Sequence, residues 1–394
     1  MRILLVHNYY QQPGGEDLVY ADEARLLAAH GHDVIRYEVH NDSVGQVNKL
    51  LLASRTVWSQ KTYRRMQDVI RHERPDLVHF HNTLPLVSPS AYHSAAHSGV
   101  PVVQTVHNYR LVCPNGLLFR DGAPCEDCVG RRFGWPGILH ACYRNSRAAS
   151  ATVATMNAVH HVLGTWTRHI TLYIALTNFA KERLLQGGIP PERVVVKPNF
   201  VDPDPGIGAG DGGYALFVGR LTLEKGIRTL LAAWKMPGTL PPLRIVGDGP
   251  LAGEVAEAAS GSSGTIEWLG TKTTPEVHTL MAGAMCLVCP SEWYETFGRV
   301  VIEAFAAGTP VIGSFLGAIA ELVRSGETGL LFEPGSPEKL AVAVRDLAQD
   351  TEGLERMRRA CRQEFVDRFT ADRNYTALVQ TYRLAIERHH PVTS

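Results

Sequence analysis

The sequence lacks long apolar runs, an excess of charge of either sign, and the commonest nucleotide-binding motifs. Its 394 residues include 39 Lys+Arg and 39 Asp+Glu, a formal net charge of zero, whereas a protein that binds duplex nucleic acid is usually basic. No apolar run approaches the ~20 residues of a membrane span, and no signal peptide precedes the apolar segment that begins at Ile3. We therefore expect a cytoplasmic protein that does not bind nucleic acid.

The absence of several motifs and the number of cysteines exclude further classes of protein. No Gly-Lys-Ser/Thr follows a glycine-rich loop, and no G-x-G-x-x-G follows a predicted strand. The Asp-x-Asp at Asp202 and Asp204 lies in a linker-like segment, where it does not suit a metal-dependent transferase. Seven cysteines are an odd number, and without a signal peptide they argue against a disulfide framework.

The sequence does contain two successive alternations of short apolar runs with helical patterns, which predict two doubly wound α/β domains. The first domain is predicted over 1–200 and the second over 201–371, with a linker rich in Gly, Pro and Asp at 197–213. An amphipathic helix at 372–390 ends the chain. The first 200 residues hold 21 Lys+Arg and 15 Asp+Glu, and the remainder hold 18 and 24. The two domains are therefore expected to have different partners.

Two features of the first domain indicate ligand binding. His7, His81 and His107 each stand near the end of a predicted strand, and the carboxyl ends of parallel strands share one edge of a sheet, so we expect a ligand cleft there. The segment 49–74 holds seven Lys/Arg and two acidic residues between apolar residues. It fits a solvated helix face, and it also fits a basic amphipathic surface that contacts anionic lipid or an anionic acceptor.

The second domain carries the most specific motifs. Arg220 and Lys225, in FVGRLTLEKG, follow its first strand and begin a helix, where two cations can clamp a diphosphate. Gly247, in VGDGP, stands at a further strand end. Glu295 and Glu303, in PSEWYETFGRVVIEAFAAG, flank a helix start. Their spacing leaves two roles open: a general acid/base pair, or carboxylates that bind hydroxyl groups beside a phosphate-receiving helix N-terminus.

Taken in chain order, the Gly14-Gly15 loop, His107, GRLTLEKG, VGDGP and SEWYETFGRVVIEAFAAGTPVIGS resemble the retaining glycosyltransferases of family 4. The resemblance covers nearly the whole chain. It implies the GT-B fold, in which two facing Rossmann-like doubly wound domains enclose a deep interdomain cleft and the last helix crosses back onto the first domain. Phe200 follows Asn199 where the family commonly has glycine, so the expected hinge differs while the expected fold does not.

The resemblance also implies a role for each matching residue, with a UDP- or GDP-sugar as the donor substrate. The residues predicted to bind the donor are Gly14, Gly15, Arg220, Lys225, Gly247, Glu295, Thr296, Phe297, Gly298 and Glu303. Among them, Glu295 is expected to reach the donor sugar and Glu303 the ribose hydroxyls. The predicted catalytic residues are Glu295, Arg220, Lys225 and His107, the last of these beside the 6-hydroxyl of the sugar.

The implied activity is transfer of a sugar with retention of configuration, by front-face displacement without a metal or other catalytic cofactor. The expected acceptor is a glycan or lipid-linked glycan of surface polysaccharide assembly. The segment 49–74 is expected to bind the inner face of the membrane, where the protein would reach this acceptor. A soluble acceptor, such as a natural product or a sugar phosphate, is an alternative. A non-catalytic nucleotide-sugar- or glycan-binding protein and a GT-B epimerase are further alternatives from other functional classes.

Four cysteines lie in an irregular insert that follows His107: Cys113, Cys125, Cys128 and Cys142. A closed Cys₄ zinc site would order such an insert, while a labile disulfide and reduced thiols packed without metal fit the same spacing. A cysteine-bearing insert of this kind resembles a subgroup feature of family 4 and is expected to shape the acceptor side of the cleft. Cys286, Cys289 and Cys361 are expected in the core.

Overall fold

The computed structural model describes residues 1–11 and 14–389, and for Ser43 it describes the backbone alone. Pro13, in the predicted glycine loop, and His390, the predicted end of the last helix, lie outside the described residues. The strands are β1 (Arg2–Tyr9), β2 (Asp33–His40), β3 (Leu77–Phe80), β4 (Val102–Val106), β5 (Phe119–Arg120), β6 (Ala123–Pro124), β7 (Leu172–Ala175), β8 (Val194–Val196), β9 (Ala215–Val218), β10 (Leu243–Val246), β11 (Ile266–Trp268), β12 (Cys286–Cys289), β13 (Val311–Ser314) and β14 (Gly329–Phe332). The helices are α1 (Gly15–Ala29), α2 (Lys49–Val57), α3 (Gln60–Glu73), α4 (Ser90–His97), α5 (Trp135–Leu139), α6 (Arg147–Val162), α7 (Asn178–Gln186), α8 (Ile227–Trp234), α9 (Ala252–Gly261), α10 (Thr274–Gly283), α11 (Arg299–Ala306), α12 (Gly317–Leu322), α13 (Pro337–Gln349), α14 (Thr351–Arg368) and α15 (Ala371–His389).

The described chain forms two compact units. The first unit contains 1–118, 126–199 and the segment from Asn374 onward, and the second contains 119–125 and 200–373. Each unit is built on one six-stranded sheet, and β5 pairs with β6 in a separate two-stranded hairpin. Helices separate successive strands of both six-stranded sheets, so the prediction of two Rossmann-like doubly wound folds is confirmed.

The sheet of the first unit has the order β2-β1-β3-β4-β7-β8, with every neighbouring pair parallel. Residues 3–6 of β1 are fully buried, as expected for a strand that helices cover on both faces. The core around β1 takes side chains from both ends of the chain, since Tyr20 of α1 packs in the same cluster as Leu378 and Tyr382 of α15. The strand order reverses between β1 and β3, which is where a doubly wound sheet binds ligands.

The sheet of the second unit has the order β11-β10-β9-β12-β13-β14. Its strands are also parallel, and β9 and β12 are neighbours although two strands separate them in the chain. The loops that leave the carboxyl ends of β9 and β12 therefore flank the point where the strand order reverses. The core beneath them includes Phe217 of β9 and Val288 of β12.

Two sequence-based element predictions need correction. The residues after the cysteine insert have a helical pattern that predicts one long helix over 146–169. The helix ends at Val162 instead, because Gly164 adopts a left-handed conformation (φ 70°) and a separate π-helical turn, Thr165–His169, follows. The basic segment 49–74 forms two helices, α2 and α3. Because α3 buries Met66 and Ile70 in the first unit, only α2 of these two helices keeps large apolar side chains in solvent: Leu50 is 82% exposed and Leu51 44%.

In the described part of the chain, no helix combines the length and the apolar character that crossing a membrane requires.

Candidate functional site

The two most specific motifs flank the switch point of the second sheet. GRLTLEKG follows β9, and SEWYETFG follows β12. Their backbones are bonded together, since the Glu292 N–H donates to the Glu224 carbonyl at 2.9 Å. Gly226 has φ 71°, and a Cβ atom there would lie 1.8 Å from the Pro290 carbonyl oxygen. Only glycine permits this approach of the two loops.

An ion pair joins the two loops at the centre of the candidate site. Lys225 Nζ lies 2.5 Å from Glu295 Oε1, and the Ser291 hydroxyl donates to the same oxygen at 2.8 Å. Burial raises the pKa of the Glu295 carboxyl, but the Lys225 charge and these hydrogen bonds outweigh burial and leave the pKa below its ordinary value. An ionised Glu295 is poorly suited to general-acid catalysis, and it can accept hydrogen bonds from hydroxyl groups.

The helix that follows Glu295 begins at a glycine as well. Gly298 caps α11 in a left-handed conformation (φ 86°), and a Cβ atom there would lie 2.7 Å from Ile319 Cδ1. The N–H groups of a first helical turn have no acceptor within the helix and carry a partial positive charge. Glu303 lies one turn further along α11, where its Oε1 accepts from Arg299 Nε at 3.0 Å.

Arg220 and Gly247 differ from Lys225 in what they can offer a ligand. The Arg220 side chain is 64% exposed, and its Nη2 lies 3.8 Å from Glu224 Oε1, so most of its guanidinium faces solvent. Gly247 donates its N–H to the Gly270 carbonyl at 2.8 Å and accepts from Trp268 Nε1 at 3.0 Å. Both backbone polar groups of Gly247 thus form hydrogen bonds within the second unit, and the absence of a side chain allows close packing.

In the first unit, His107 directly follows β4 and contacts a buried network of polar side chains. His107 Nε2 lies 3.0 Å from His81 Nδ1, and His81 Nε2 lies 3.5 Å from Glu23 Oε2. The other carboxylate oxygen of Glu23 accepts from Lys197 Nζ at 2.8 Å. Glu23 and His81 are almost completely buried, as is Lys197.

Burial keeps the two histidines of this network neutral. It lowers the pKa of His107 to about 3 and that of His81 well below its ordinary value, so both rings are uncharged at pH 7. A neutral imidazole carries one N–H, so one of the two ring nitrogens that lie 3.0 Å apart donates and the other accepts.

Glu23, His79 and His81 bring potential metal ligands within 4.8 Å of one another, but their surroundings favour an ion pair. The ammonium group of Lys197 already supplies the cation at Glu23. Both ring nitrogens of His79 have partners, the Tyr382 hydroxyl at 2.8 Å and the Thr105 hydroxyl at 2.8 Å. A divalent ion would have to displace these contacts and stand beside a lysine charge.

His7 does not stand at a strand end, as the sequence had suggested, but lies within β1. Its Nε2 is 2.6 Å from Asp17 Oδ1, and its ring stacks on Tyr20. The other oxygen of Asp17 accepts from the Gly14 N–H at 2.7 Å. His7 therefore supports the glycine loop at the start of α1 and is a structural residue, while Gly15 has open space around its Cα.

A pocket within the first unit adjoins His107. Its polar lining comes from Asn82, Asn108, Arg110 and Asn157, and Trp166 provides an apolar wall. Beside it, Asn108 Nδ2 donates to Glu16 at 3.4 Å, and burial raises the pKa of the Glu16 carboxyl to about 7. This set of amide, guanidinium and imidazole groups suits a ligand that is rich in hydroxyl groups.

The cysteines divide as the sequence predicted between the insert and the core. Cys286 and Cys289 of β12 are buried, and burial raises their thiol pKa values to about 12 and about 11; Cys361 of α14 is buried as well. The core prediction for these three is confirmed. In the insert, Cys113 and Cys128 are buried, whereas Cys125 and Cys142 are partly buried.

Sequence reasoning missed Glu23, Asp17 and Lys197. Glu23 and Asp17 lie on the predicted helix α1, and Lys197 lies in the predicted linker, 174 residues from Glu23. The sequence held one indication of these residues. Asp17 and Glu23 lie six residues apart on a helix that directly follows the strand of His7.

Comparisons with known proteins identify the family of the chain. The model of the group 1 glycosyl transferases matches residues 207–364, and that of Glycosyltransferase Family 4 matches 13–205. Glycogen synthase of Mycobacterium tuberculosis is 30% identical over 332 residues, which cover 80% of this chain and 70% of that protein. The chain belongs to the glycosyltransferases.

Two further proteins are similar to this glycosyltransferase. The 2-deoxystreptamine N-acetyl-D-glucosaminyltransferase of Streptomyces fradiae is 28% identical over 331 residues, 80% of this chain and 72% of that one. The structure of Anabaena Alr3699/HepE in complex with UDP superimposes with a TM-score of 0.69 at 20% identity, covering 97% of this chain and 100% of that one. At that identity the likeness supports the GT-B fold alone.

Proposed function

We propose that this glycosyltransferase is a retaining, metal-independent enzyme that transfers a sugar from a UDP- or GDP-sugar to a hydroxyl group of a glycan or lipid-linked glycan. The Lys225–Glu295 pair, which joins the two motif loops at the switch point of the second sheet, is the observation that carries the proposal. It sets a cation and a hydroxyl-binding carboxylate beside a helix N-terminus, as a sugar diphosphate requires.

The second unit (200–373) is then the donor domain, and the first is the acceptor domain. Lys225 and Arg220 would bind the diphosphate together with the α11 N-terminus at Thr296, Phe297 and Gly298. Glu303 would bind the ribose hydroxyls, and Glu295 would bind hydroxyls of the transferred sugar. Anabaena Alr3699/HepE, whose structures hold UDP and UDP-glucose, supports a nucleotide diphosphate in this role.

Catalysis would follow from electrostatic stabilisation of the leaving diphosphate. When the glycosidic bond breaks, negative charge develops on the phosphate oxygens, and Lys225, Arg220 and the helix dipole of α11 lie ready to stabilise it. Glu295 is already paired with Lys225 and is not placed as a free nucleophile. We propose that His107 lies beside the transferred sugar, and that the Gly14-Gly15 loop contacts the diphosphate.

The pocket beside His107 supports a hydroxyl-rich acceptor, and α2 supports one that is carried by a lipid. Leu50 and Leu51 are exposed on α2 next to the exposed cations Lys49 and Arg55, a combination that favours an anionic lipid surface. We therefore propose peripheral association at the cytoplasmic face of a membrane. The Streptomyces fradiae relative, whose name specifies 2-deoxystreptamine, supports a soluble aminocyclitol-type acceptor as the second candidate.

A panel of nucleotide sugars tests the proposal. UDP-glucose, UDP-galactose, UDP-N-acetylglucosamine, GDP-mannose and ADP-glucose would be compared by thermal shift, with donor hydrolysis and the anomeric configuration of the released sugar followed by NMR in the presence of EDTA. We expect one nucleotide class to raise the unfolding temperature and the sugar to be released with retention, unaffected by the chelator. Failure of every donor to bind would contradict the proposal, as would an inverted product or a loss of hydrolysis in EDTA that Mg²⁺ restores and Zn²⁺ does not.

The four insert cysteines are the proposed ligands of a structural zinc ion, because four thiolates at this spacing match a closed tetrahedral site. We expect purified protein to hold zinc that is lost in Cys128→Ser, together with a fall in the unfolding temperature, as measured by metal analysis and thermal unfolding. Thr152→Ala, which removes a surface hydroxyl that bonds only to the α6 backbone, is the control. Wild-type protein that is folded and free of zinc would contradict this assignment.

A further inference from the structure

A cluster of histidines lies in the first unit, apart from His107. His93 and His97 stand four residues apart on α4, so their side chains share one face of the helix, and His169 ends the π-helical turn Thr165–His169. The ring centroid of His169 is 4.3 Å from that of His93 and 5.7 Å from that of His97. One ring nitrogen from each of the three lies within 4.8 Å of the others.

The hydrogen bonds beneath the cluster fix the tautomer of His93. The Val57 carbonyl can only accept, so His160 donates to it from Nε2 at 2.7 Å. His160 Nδ1 then accepts from the Thr165 hydroxyl at 2.8 Å, because burial lowers the pKa of His160 and keeps the ring neutral. The Thr165 oxygen accepts in turn from His93 Nε2 at 2.7 Å. Nδ1 of His93 is therefore the unprotonated nitrogen.

A second contact orients the ring of His97. The Tyr63 hydroxyl lies 3.0 Å from His97 Nδ1 and is itself bonded to Gln67 at 3.2 Å. Partners of this kind on the nitrogen that does not bind are what orient metal-binding histidines. His93 is buried, His169 is partly buried and His97 is exposed, so an ion could enter from the side of His97.

Three imidazole rings that converge within this distance offer a set of nitrogen donors. Neutral imidazole is the form that binds metals. Three nitrogen donors suit zinc or a similar transition metal and do not suit calcium or magnesium, which prefer oxygen.

We propose that His93, His97 and His169 bind a divalent transition-metal ion of the zinc type. The ion would join the end of α4 to the turn that follows α6. That turn carries Trp166, and α4 carries Tyr92, and both side chains line the pocket beside His107. Metal binding would thus hold one wall of that pocket, a consequence that does not depend on the identity of the donor or the acceptor.

Zinc binding by the full-length protein tests the site. After treatment with EDTA, the wild type, His97→Ala and His169→Ala would be dialysed against micromolar Zn²⁺, and bound zinc and the unfolding temperature would be measured. We expect the wild type to bind one more equivalent than either variant, and zinc to raise its unfolding temperature by several degrees more. The cysteine insert is identical in all three proteins, so any zinc it holds cancels in the comparison.

His72→Ala is the matched control, since His72 is an exposed histidine of α3 outside the cluster. It should bind as much zinc as the wild type. Equal zinc stoichiometry in the wild type and both cluster variants would overturn the proposal, and so would an equal loss in His72→Ala. Without zinc, the cluster variants should unfold near the wild-type temperature, which separates lost metal binding from lost folding.

Discussion

Replacement of Lys225 by alanine is expected to lower kcat/KM for sugar transfer by about 10²–10³-fold, the usual effect of removing one preorganised group that stabilises transition-state charge. Lys225 lies in the loop after β9, and its side chain is 22% exposed. An ammonium group shielded in this way acts more strongly on a diphosphate than a fully solvated one does. Steady-state kinetics with the donor identified by the nucleotide-sugar panel would measure the effect.

The same substitution should also change the pH dependence of the reaction. Without Lys225, burial becomes the dominant influence on Glu295, and its pKa should rise above the ordinary value. The activity that remains in Lys225→Ala should then be lost at a higher pH than in the wild type as the solution is acidified, because Glu295 becomes protonated earlier. Measurement of kcat/KM between pH 5 and pH 8 would detect this shift.

Two control variants, Lys235→Ala and Lys225→Arg, separate the role of the Lys225 ammonium group from a general effect of net charge. Lys235 is an exposed lysine at the end of α8, so its removal changes the net charge equally and should leave kcat/KM within twofold of the wild-type value. Lys225→Arg retains the charge and should keep more activity than Lys225→Ala. If Lys225→Ala matched the wild type in donor affinity and turnover, the diphosphate-binding role of this residue would be excluded.

The second sheet could be predicted from the sequence because each of its strands is encoded by a short run of neighbouring residues. The runs YALFVG, RIVG and MCLVCPS are largely apolar, as buried parallel strands are, and glycines such as Gly226 and Gly298 mark positions where a Cβ atom has no space. The pairing of β9 with β12 was not local, and it is this pairing that brings Lys225 to Glu295. The resemblance of both motifs to one family placed Lys225 and Glu295 at one donor site, but it did not predict that the two side chains form an ion pair.

The buried network below His107 could not be predicted for the same physical reason. Glu23 and Lys197 are 174 residues apart, and each sits in a segment whose local pattern favours a solvated charge. Tyr382, which bonds His79, comes from α15, a further 185 residues along the chain from Lys197. A strand-end histidine in the sequence indicates where a network could form, but the partners depend on which distant segments the fold brings together.

Breaking this network is expected to have the largest effect on stability. In the first unit, Glu23→Gln and Lys197→Met should each lower the free energy of unfolding by about 3–5 kcal/mol, because each leaves the partner as an uncompensated buried charge. Both side chains are at most 1% exposed and their charged atoms are 2.8 Å apart. Urea unfolding at pH 7, followed by a probe in the first unit, would give the values.

The double variant decides whether the pair is a coupled unit. In Glu23→Gln/Lys197→Met neither charge remains, so its loss of stability should be well below the sum for the single variants, with a coupling energy of about 2 kcal/mol or more. The exposed pair Arg2–Asp33, at 2.6 Å with side chains 46% and 55% exposed, should show a coupling below about 1 kcal/mol in the same cycle. Additive losses at Glu23 and Lys197 would contradict this prediction and would mean that the two charges are solvated separately.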